Sequence, residues 1–567
     1  MTTLIQLRDI SHHAGTRRLF SHLNLTISLG DKIGLVGYNG SGKSTLLSLI
    51  SGKQQPDEGE ITRNSLLKLE TVEQFIDESL LEMTTLAAVT AKLPAEERAF
   101  SDYRAVMLLE RLGFPAAQHE YLVGDLSGGQ QNRLMFARAV ITEPNLVLFD
   151  EPTNHLDLQT LLFFETFLQS MTAGYLLVSH DRQFLDQVTR HTLFLRDEKI
   201  LGFQLPFSAA REALQAQDEA AQARLAAEEK NISDLKASAK RLAIWGKVYD
   251  NEKFAAKAKN MEKRIERLEA DKTVVTRGSD LSLSLDVQRS RANRILQVEA
   301  HWVRAPDASP LFHIEELTIR PGDRVALLGH NGAGKTTFIR ELLNHYEEQT
   351  TDGEIRFNPQ CQIGYYDQEL ERLNPAWNMH ETLRYTCPGT DPEYKAALIR
   401  AGFPFLSHDR QVSVLSGGER ARLMFLVIRL NQPNFLILDE PTNHIDIEGK
   451  EDLEDQILST DATVLITSHD RRFVDTIAER YLLIRDGKLV EISDPAEFYA
   501  SSPQASQDER DGPTRPEELP PDPEAVLARI VELEELLAAD LARKPRFQKP
   551  ERQAAWRALI EQLSRQL

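Results

Sequence analysis

Four short motifs whose residue types suit phosphate chemistry occur in one order along the chain and then occur again. The first set is Gly37-Tyr38-Asn39-Gly40-Ser41-Gly42-Lys43-Ser44, Leu126-Ser127-Gly128-Gly129-Gln130, an Asp-Glu-Pro-Thr-Asn-His-Leu-Asp run from Asp150 and Glu151 to Asp157, and Ser179-His180-Asp181. The second is Gly329-His330-Asn331-Gly332-Ala333-Gly334-Lys335-Thr336, Leu415-Ser416-Gly417-Gly418-Glu419, the matching run from Asp439 and Glu440 to Asp446, and Ser468-His469-Asp470. Ser127 to Asp150 and Ser416 to Asp439 both span 23 residues, and Asp150 to His180 and Asp439 to His469 both span 30. Equal offsets across four motifs mark an internal duplication.

Gly-x-x-x-x-Gly-Lys-Ser/Thr behind an apolar strand is a phosphate loop. Its glycines let backbone N–H groups turn toward phosphate oxygens, at a helix start whose dipole also favours negative charge. Lys43 and Lys335 are placed to neutralise the β- and γ-phosphates of ATP, and Ser44 and Thr336 to ligate Mg2+. Thr45 and Thr337, next along each loop, belong to the same ATP-binding set. Asp150 and Asp439 suit a Mg2+-linked role, and the adjacent Glu151 and Glu440 suit polarising an attacking water. His180 and His469, at equal offset from these acids, suit contact with a γ-phosphate. The bland alternatives are glycine turns with an incidental lysine and acids on a solvated turn. The apolar run before each acid and the fixed spacing weigh against both.

These groups need a scaffold that delivers them to one edge. Lys32-Ile33-Gly34-Leu35-Val36 and Arg324-Val325-Ala326-Leu327-Leu328 lead into the two loops, and Leu146–Phe149 and Phe435–Leu438 are apolar runs that end in the acids. Such runs fit strands buried on both faces of a mainly parallel sheet, with functional groups at their carboxyl ends. The expected fold is therefore α/β, with two P-loop NTPase domains at 1–204 and 291–500. A chain of 567 residues exceeds one core, and 41% hydrophobic with 27% charged residues describes core-forming domains. Cys361 and Cys387 are the only cysteines, too few for a disulfide framework or a cysteine-rich metal site. No signal peptide and no apolar run of membrane-spanning length is evident, so a cytoplasmic protein is expected.

Residues 205–290 differ from both copies. About 208–272 is rich in Ala, Glu, Lys and Arg without proline, and reads as long helix. Leu225, Ile232, Leu235, Ala239 and Leu242 form one seam, and Ala258, Met261, Ile265 and Leu268 another. A break near Trp245-Gly246 between them predicts an antiparallel helical hairpin, with a single solvated spacer helix as the alternative. Within 236–264, nine basic residues face three acidic ones, a local charge of +6 in a chain of −20. Lys240, Arg241, Lys247, Lys253, Lys257 and Lys259 interleave with Trp245 and Tyr249 there. Basic groups suit phosphates and aromatics stack on unpaired bases, which makes these eight candidate RNA contacts; a solvated coiled-coil face is the alternative. Residues 501–523 read as a flexible linker, and 524–567 as a small helical pair without legible chemistry.

The two Leu-Ser-Gly-Gly-Gln/Glu motifs resemble the signature of ATP-binding cassette ATPases. That resemblance implies cassettes paired head to tail, with Ser416, Gly417 and Gly418 facing the nucleotide held by Lys43, and Ser127, Gly128 and Gly129 facing the one held by Lys335. Gln130 and Glu419 join the same ATP-binding set. Gln74 and Gln368 resemble the glutamine that senses Mg2+ and γ-phosphate. Phe20 and Trp302 are the candidates for stacking on adenine, though both suit a core as well. Tandem cassettes with repeated Asp-Glu-Pro-Thr-Asn-His-Leu/Ile-Asp and a charged helical linker resemble the ABC-F family, over about residues 1–500. The resemblance implies a monomer that hydrolyses ATP and binds the ribosome, its linker reaching rRNA and peptidyl-tRNA from the exit-tRNA side. Gln74 to Ser127 exceeds Gln368 to Ser416 by five residues, which leaves little room for the arm inserted in the first cassette of some relatives. A DNA-repair ATPase and a transporter subunit are the competing readings. Residues 521–567 balance eight acidic against eight basic side chains, which gives the first no basic footprint, and nothing in the sequence can enter hydrocarbon.

Overall fold

A computed structural model describes the chain except residues 1, 16, 73–75, 154, 155, 157, 249–251, 271, 273–292, 349–352, 444, 501–536, 538–552, 554, 555 and 558–567. It divides into two compact units, Met1–Pro152 with Glu165–Asp280, and Thr153–Phe164 with Leu281–Leu567.

In the first unit, Leu69–Val72, Leu146–Asp150, Gly174–Val178, Lys32–Gly37 and His191–Arg196 lie side by side in that order, all parallel, and Lys199–Phe203 closes the edge antiparallel. The second unit repeats the order with Ile363–Tyr366, Phe435–Asp439, Thr463–Thr467, Arg324–Leu328, Arg480–Arg485 and Lys488–Ile492. The strands that carry the acids are apolar and buried along their length, as a sheet covered on both faces requires. Parallel strands share one carboxyl edge, so Gly37, Asp150 and the residues after Val178 emerge together. The first unit adds a separate antiparallel sheet of Arg17–Ser28, Thr3–Ala14 and Glu58–Arg63. In the second, the antiparallel strands Pro310–Ile319, Leu296–Arg304 and Ile355–Phe357 continue the main sheet through the pairing of His313 with Lys488.

Between the edge strand and the Ser-Gly-Gly motif, both units run through the same helices. The first has Thr85–Thr90, Ala95–Arg111 and Gly128–Val140; the second has Met379–Thr386, Asp391–Arg400 and Gly417–Leu430. The extra length of the first lies in Ala95–Arg111, 17 residues against 10, roughly 10 Å of added helix. Among the described residues no separate arm is present.

The linker contains Phe207–Val248, 42 residues, and Glu252–Ala270, 19 residues. Its base is anchored to the first cassette. Phe207, Ala210 and Leu214 are buried, the Ser208 N–H donates to Asp186 at 2.7 Å, and the Arg196 guanidinium donates to both oxygens of Asp218. Farther out, Ile232, Ala239 and Ile265 pack with Leu235, Met261 and Leu268, the core of the two expected seams. Lys236 pairs with Glu269 at 2.7 Å and Glu229 with Lys272 at 3.4 Å; numbers that rise on one helix fall on the other, so the hairpin is antiparallel. The expected break at Trp245-Gly246 is corrected: the first helix runs through both residues to Val248. A lone glycine costs only ~1 kcal/mol in a helix, too little to end one of this length. The expected segments 501–523 and 524–567 lie outside the described residues apart from 537, 553, 556 and 557.

Candidate functional site

Each phosphate loop passes from a buried strand into a helix that starts at its lysine, Lys43–Ser51 and Lys335–Glu347. The preceding glycines are left-handed, Gly42 at φ 101° and Gly334 at φ 100°, a conformation open to glycine at little cost. Space is equally restrictive. A Cβ on Gly42 would stand 2.9 Å from Phe20 Cζ, and one on Gly334 would stand 2.9 Å from Leu311 Cδ1 and 3.2 Å from Phe312 Cε1. Phe20 is fully buried beneath the first loop, so it is core and its faces are closed to adenine. Trp302 is 45% exposed and lies against His313. Lys43 Nζ donates to the Gly37 and Tyr38 carbonyls at 2.8 and 3.2 Å, and Lys335 Nζ to Gly329 and His330 at 2.7 and 3.3 Å. Both ammonium groups thus sit over their own loops, beside the first-turn N–H groups that a helix leaves for an anion.

At the end of each acidic strand the chain turns sharply. Glu151 has φ 51° and Glu440 φ 49°, a left-handed conformation that costs a residue with a Cβ about 1–3 kcal/mol. The neighbouring strand holds the turn: Glu151 N–H donates to Val178 O and Glu440 N–H to Thr467 O, both at 3.0 Å. The turn aims the glutamates at the histidines. His180 Nε2 lies 3.1 Å from Glu151 Oε1, and His469 Nε2 lies 3.6 Å from Glu440 Oε1 and 3.0 Å from Asn331 Oδ1. The His469 N–H also donates to Glu440 Oε2 at 3.1 Å.

Asp439 is 1% exposed, and burial raises its carboxyl above the usual range despite the Thr467 hydroxyl bonded to it and Thr336 and Lys335 nearby. Its Oδ1 accepts from Thr467 Oγ1 at 2.5 Å, while Oδ2 has no hydrogen-bond partner. A buried carboxylate oxygen with no donor at normal hydrogen-bond geometry, on a carboxyl that the Thr336 hydroxyl also stabilises, fits a hard cation. Among the described residues no group of three or more His, Cys, Asp or Glu could hold a metal by itself, so such a cation needs phosphate and water oxygens too. In the first unit Asp150 is half-buried and Ser44 exposed.

The Ser-Gly-Gly motifs start helices. Ser127 caps Gly128–Val140 and Ser416 caps Gly417–Leu430, each in a reciprocal capping box with Gln130 or Glu419 three residues on. Burial alone would raise the Glu419 carboxyl; the Ser416 N–H and hydroxyl and the Arg410 guanidinium outweigh it and hold the group below its ordinary value. Gln368 is half-buried just past Ile363–Tyr366, whereas Gln74 and Tyr249 lie outside the described residues. Lys240, Arg241, Lys257 and Lys259 are exposed on the hairpin; Trp245, Lys247 and Lys253 are described by backbone alone.

Within each unit the fold therefore gathers loop lysine, strand-end acids and histidine at one sheet edge. Sequence reasoning did not single out Thr467, whose signal was the only polar residue ending the otherwise apolar run before Ser-His-Asp. Nor did it single out the capping boxes, legible as Ser-x-x-Gln and Ser-x-x-Glu.

This geometry defines a pair of ATP-binding cassettes of the P-loop class. A family profile described as ABC transporter matches residues 20–154 and 312–443. The "Probable ATP-binding protein YheS" of Escherichia coli K12 is 30% identical over 531 residues, covering 88% of this chain and 81% of that protein. The ribosome protection protein VmlR of Bacillus subtilis is 29% identical over 504 residues, 85% and 87% of the two chains. Among solved structures, the archaeal ribosome recycling factor aABCE1 in complex with the stalk protein aP1 superposes with TM-score 0.59 at 18% identity, over 87% of this chain and 92% of that one, which speaks to fold alone. The chain belongs to the ABC-F family of tandem ATP-binding cassette ATPases. Among the described residues no helix is long and apolar enough to cross a membrane.

Proposed function

We propose that this chain is a cytoplasmic, monomeric ATP-driven clamp that binds the ribosome through its basic hairpin and regulates or rescues translation. The observation that carries the reading is the charge of the hairpin: +6 over 236–264 in a chain of −20, with Lys240, Arg241, Lys257, Lys259, Lys263 and Arg264 exposed. Local positive charge of this density suits rRNA or tRNA phosphates even on an acidic protein. The relative named a ribosome protection protein supports the same partner.

In this reading, ATP joins the cassettes. Lys43 and Lys335 leave their loop carbonyls for the β- and γ-phosphates, with Asn39 and Asn331 at the loop tips. The Ser127-Gly128-Gly129 and Ser416-Gly417-Gly418 helix starts donate to the γ-phosphate bound by the opposite cassette. Ser44 with Asp150, and Thr336 with Asp439, hold Mg2+, which would neutralise phosphate charge. Glu151 and Glu440, fixed in left-handed turns, orient water for attack, and His180 and His469 link each glutamate to the γ-phosphate. Hydrolysis then ends the joined state and releases the ribosome.

Changing Glu151 and Glu440 to Gln together should slow hydrolysis and trap the joined state. Co-sedimentation of this variant with ribosomes in ATP is the expected result, and its absence would overturn the ribosome reading. Neutralising Lys247, Lys253, Lys257 and Lys259 should weaken that co-sedimentation while ATP affinity stays unchanged.

A further inference from the structure

We propose that Thr467 is a positioning residue for the cation-linked carboxylate of the second cassette: its hydroxyl fixes Asp439 through Oδ1 and so leaves Oδ2 for the cation beside Thr336. The inference rests on the nucleotide-site reading above and deepens it.

Strands Phe435–Asp439 and Thr463–Thr467 are parallel neighbours in which Asp439 is paired with Thr467. That register brings Thr467 Oγ1 to 2.5 Å from Asp439 Oδ1, as donor. The same oxygen accepts the Glu440 N–H at 3.3 Å, in addition to the bond from that N–H to the Thr467 carbonyl. A threonine hydroxyl has one proton and two lone pairs, so its proton is committed to Asp439 while a lone pair receives Glu440. One side chain therefore touches both strand-end acids. By donating, it sets the plane of the Asp439 carboxylate; by accepting, it braces the left-handed turn of Glu440.

The arrangement gains weight from burial and from the other cassette. At 1% exposure, Asp439 has almost no solvent to compete with the Thr467 proton. With Oδ1 committed, Oδ2 is the oxygen without a hydrogen bond. In the first cassette the register partner of Asp150 is Val178, which can make neither side-chain bond. The second cassette thus orients its acid with a device that the first lacks.

The test uses the full chain in a Lys43→Ala background, so that nucleotide binding reports on the second loop. Thr467→Val is nearly isosteric and removes the hydroxyl, whereas Thr467→Ser keeps it. Mn2+ stands in for Mg2+, and its affinity is read by electron paramagnetic resonance with a non-hydrolysable ATP analogue present. Thr467→Val should lose about fivefold in Mn2+ affinity, the scale of one net hydrogen bond, with metal-free analogue binding unchanged. Thr467→Ser should stay within about twofold of its parent, the spread expected when that hydrogen bond is kept. The assignment is overturned if Thr467→Val keeps the parent's Mn2+ affinity, if it loses metal-free binding to the same extent, or if Thr467→Ser tracks Thr467→Val. A Lys43→Ala parent that binds the analogue with no Mn2+ dependence would instead overturn the nucleotide-site reading, and the assignment with it.

Discussion

The two cassettes place the same acids at the same edge of the same sheet, yet they surround them differently. Asp150 ends its strand opposite Val178, whereas Asp439 ends its strand opposite Thr467 and bonds to it. Four residues after the last aspartate of each Asp-Glu-Pro-Thr run, the first cassette has Leu161 and the second has Lys450. Lys450 forms a buried ion pair with Asp470 at 2.9 Å, beside His469. The duplication kept the loop lysines, strand-end acids and histidines, while the second copy adds the Thr467–Asp439 bond and the buried Lys450–Asp470 pair beside them. What differs is therefore how each strand-end edge is held, and under the proposed chemistry unequal hydrolysis at the two sites is the expectation.

The largest effect expected is on chemistry itself. Replacing both Glu151 and Glu440 by Gln should lower ATP turnover by on the order of 10^2–10^4, the range for losing a positioned general base. The single variants sharpen the comparison, because their residual steady-state rates should differ from each other. Equal rates from the two would break it and show that the polar surroundings of the second site do not reach the chemistry.

Next comes the ion pair. Both partners are nearly buried, and removing one takes a close counter-charge away from the other, a loss of up to about 3–5 kcal/mol. Lys450→Met should therefore strongly reduce hydrogen-exchange protection in the helix Arg471–Ile477, which Asp470 caps through the Phe473 N–H. Adding Asp470→Asn keeps a capping oxygen and removes the buried charge, so most of the protection should return. Failure of the double variant to recover would mean that Lys450 acts through packing alone.

The phosphate loops give a smaller difference. Gly42→Ala and Gly334→Ala both force a left-handed alanine, about 1–3 kcal/mol each. The new methyl of the first meets the rigid Phe20 ring at 2.9 and 3.1 Å, whereas the closest neighbour of the second is the movable end of Leu311. Gly42→Ala should thus lower the thermal midpoint more than Gly334→Ala, by differential scanning calorimetry.

These contrasts also mark where the sequence was readable. The loops, strand-end acids and histidines are contiguous patterns with fixed offsets, so their types alone placed Lys43, Glu151 and His180 at one sheet edge. The hairpin was legible because seams such as Ile232, Leu235 and Ala239 carry helical periodicity, and those residues do form its core. Its turn was misplaced because Gly246 was read as a breaker, although one glycine is too cheap to stop a helix of 42 residues. Phe20 was ambiguous for a different reason: an aromatic near a nucleotide loop can stack on a base or lie beneath the loop, and only burial decides. Thr467 was hidden because its meaning comes from strand register with a residue 28 positions away. Local chemistry was visible; partnerships made by the sheet were not.

The smallest expected difference lies at the two Ser-Gly-Gly helix starts. Ser127 is boxed by neutral Gln130, which also reaches Gln118 at 3.3 Å, whereas Ser416 is boxed by Glu419, itself paired with Arg410 at 3.2 Å. A carboxylate in the first turn interacts favourably with the helix dipole, by about 0.3–1 kcal/mol when solvent-accessible and at low ionic strength. Glu419→Gln keeps the reciprocal hydrogen bond and removes the charge, so it turns the second start into the first. Protection of the first-turn amides of Gly417–Leu430 should fall by up to about fivefold at low salt, and the loss should shrink as added salt screens the charge. Gln130→Glu should move the first start the opposite way by a similar factor. If Glu419→Gln lowers protection equally at low and high salt, the contribution of Glu419 is geometric rather than electrostatic, and the two helix starts are equivalent.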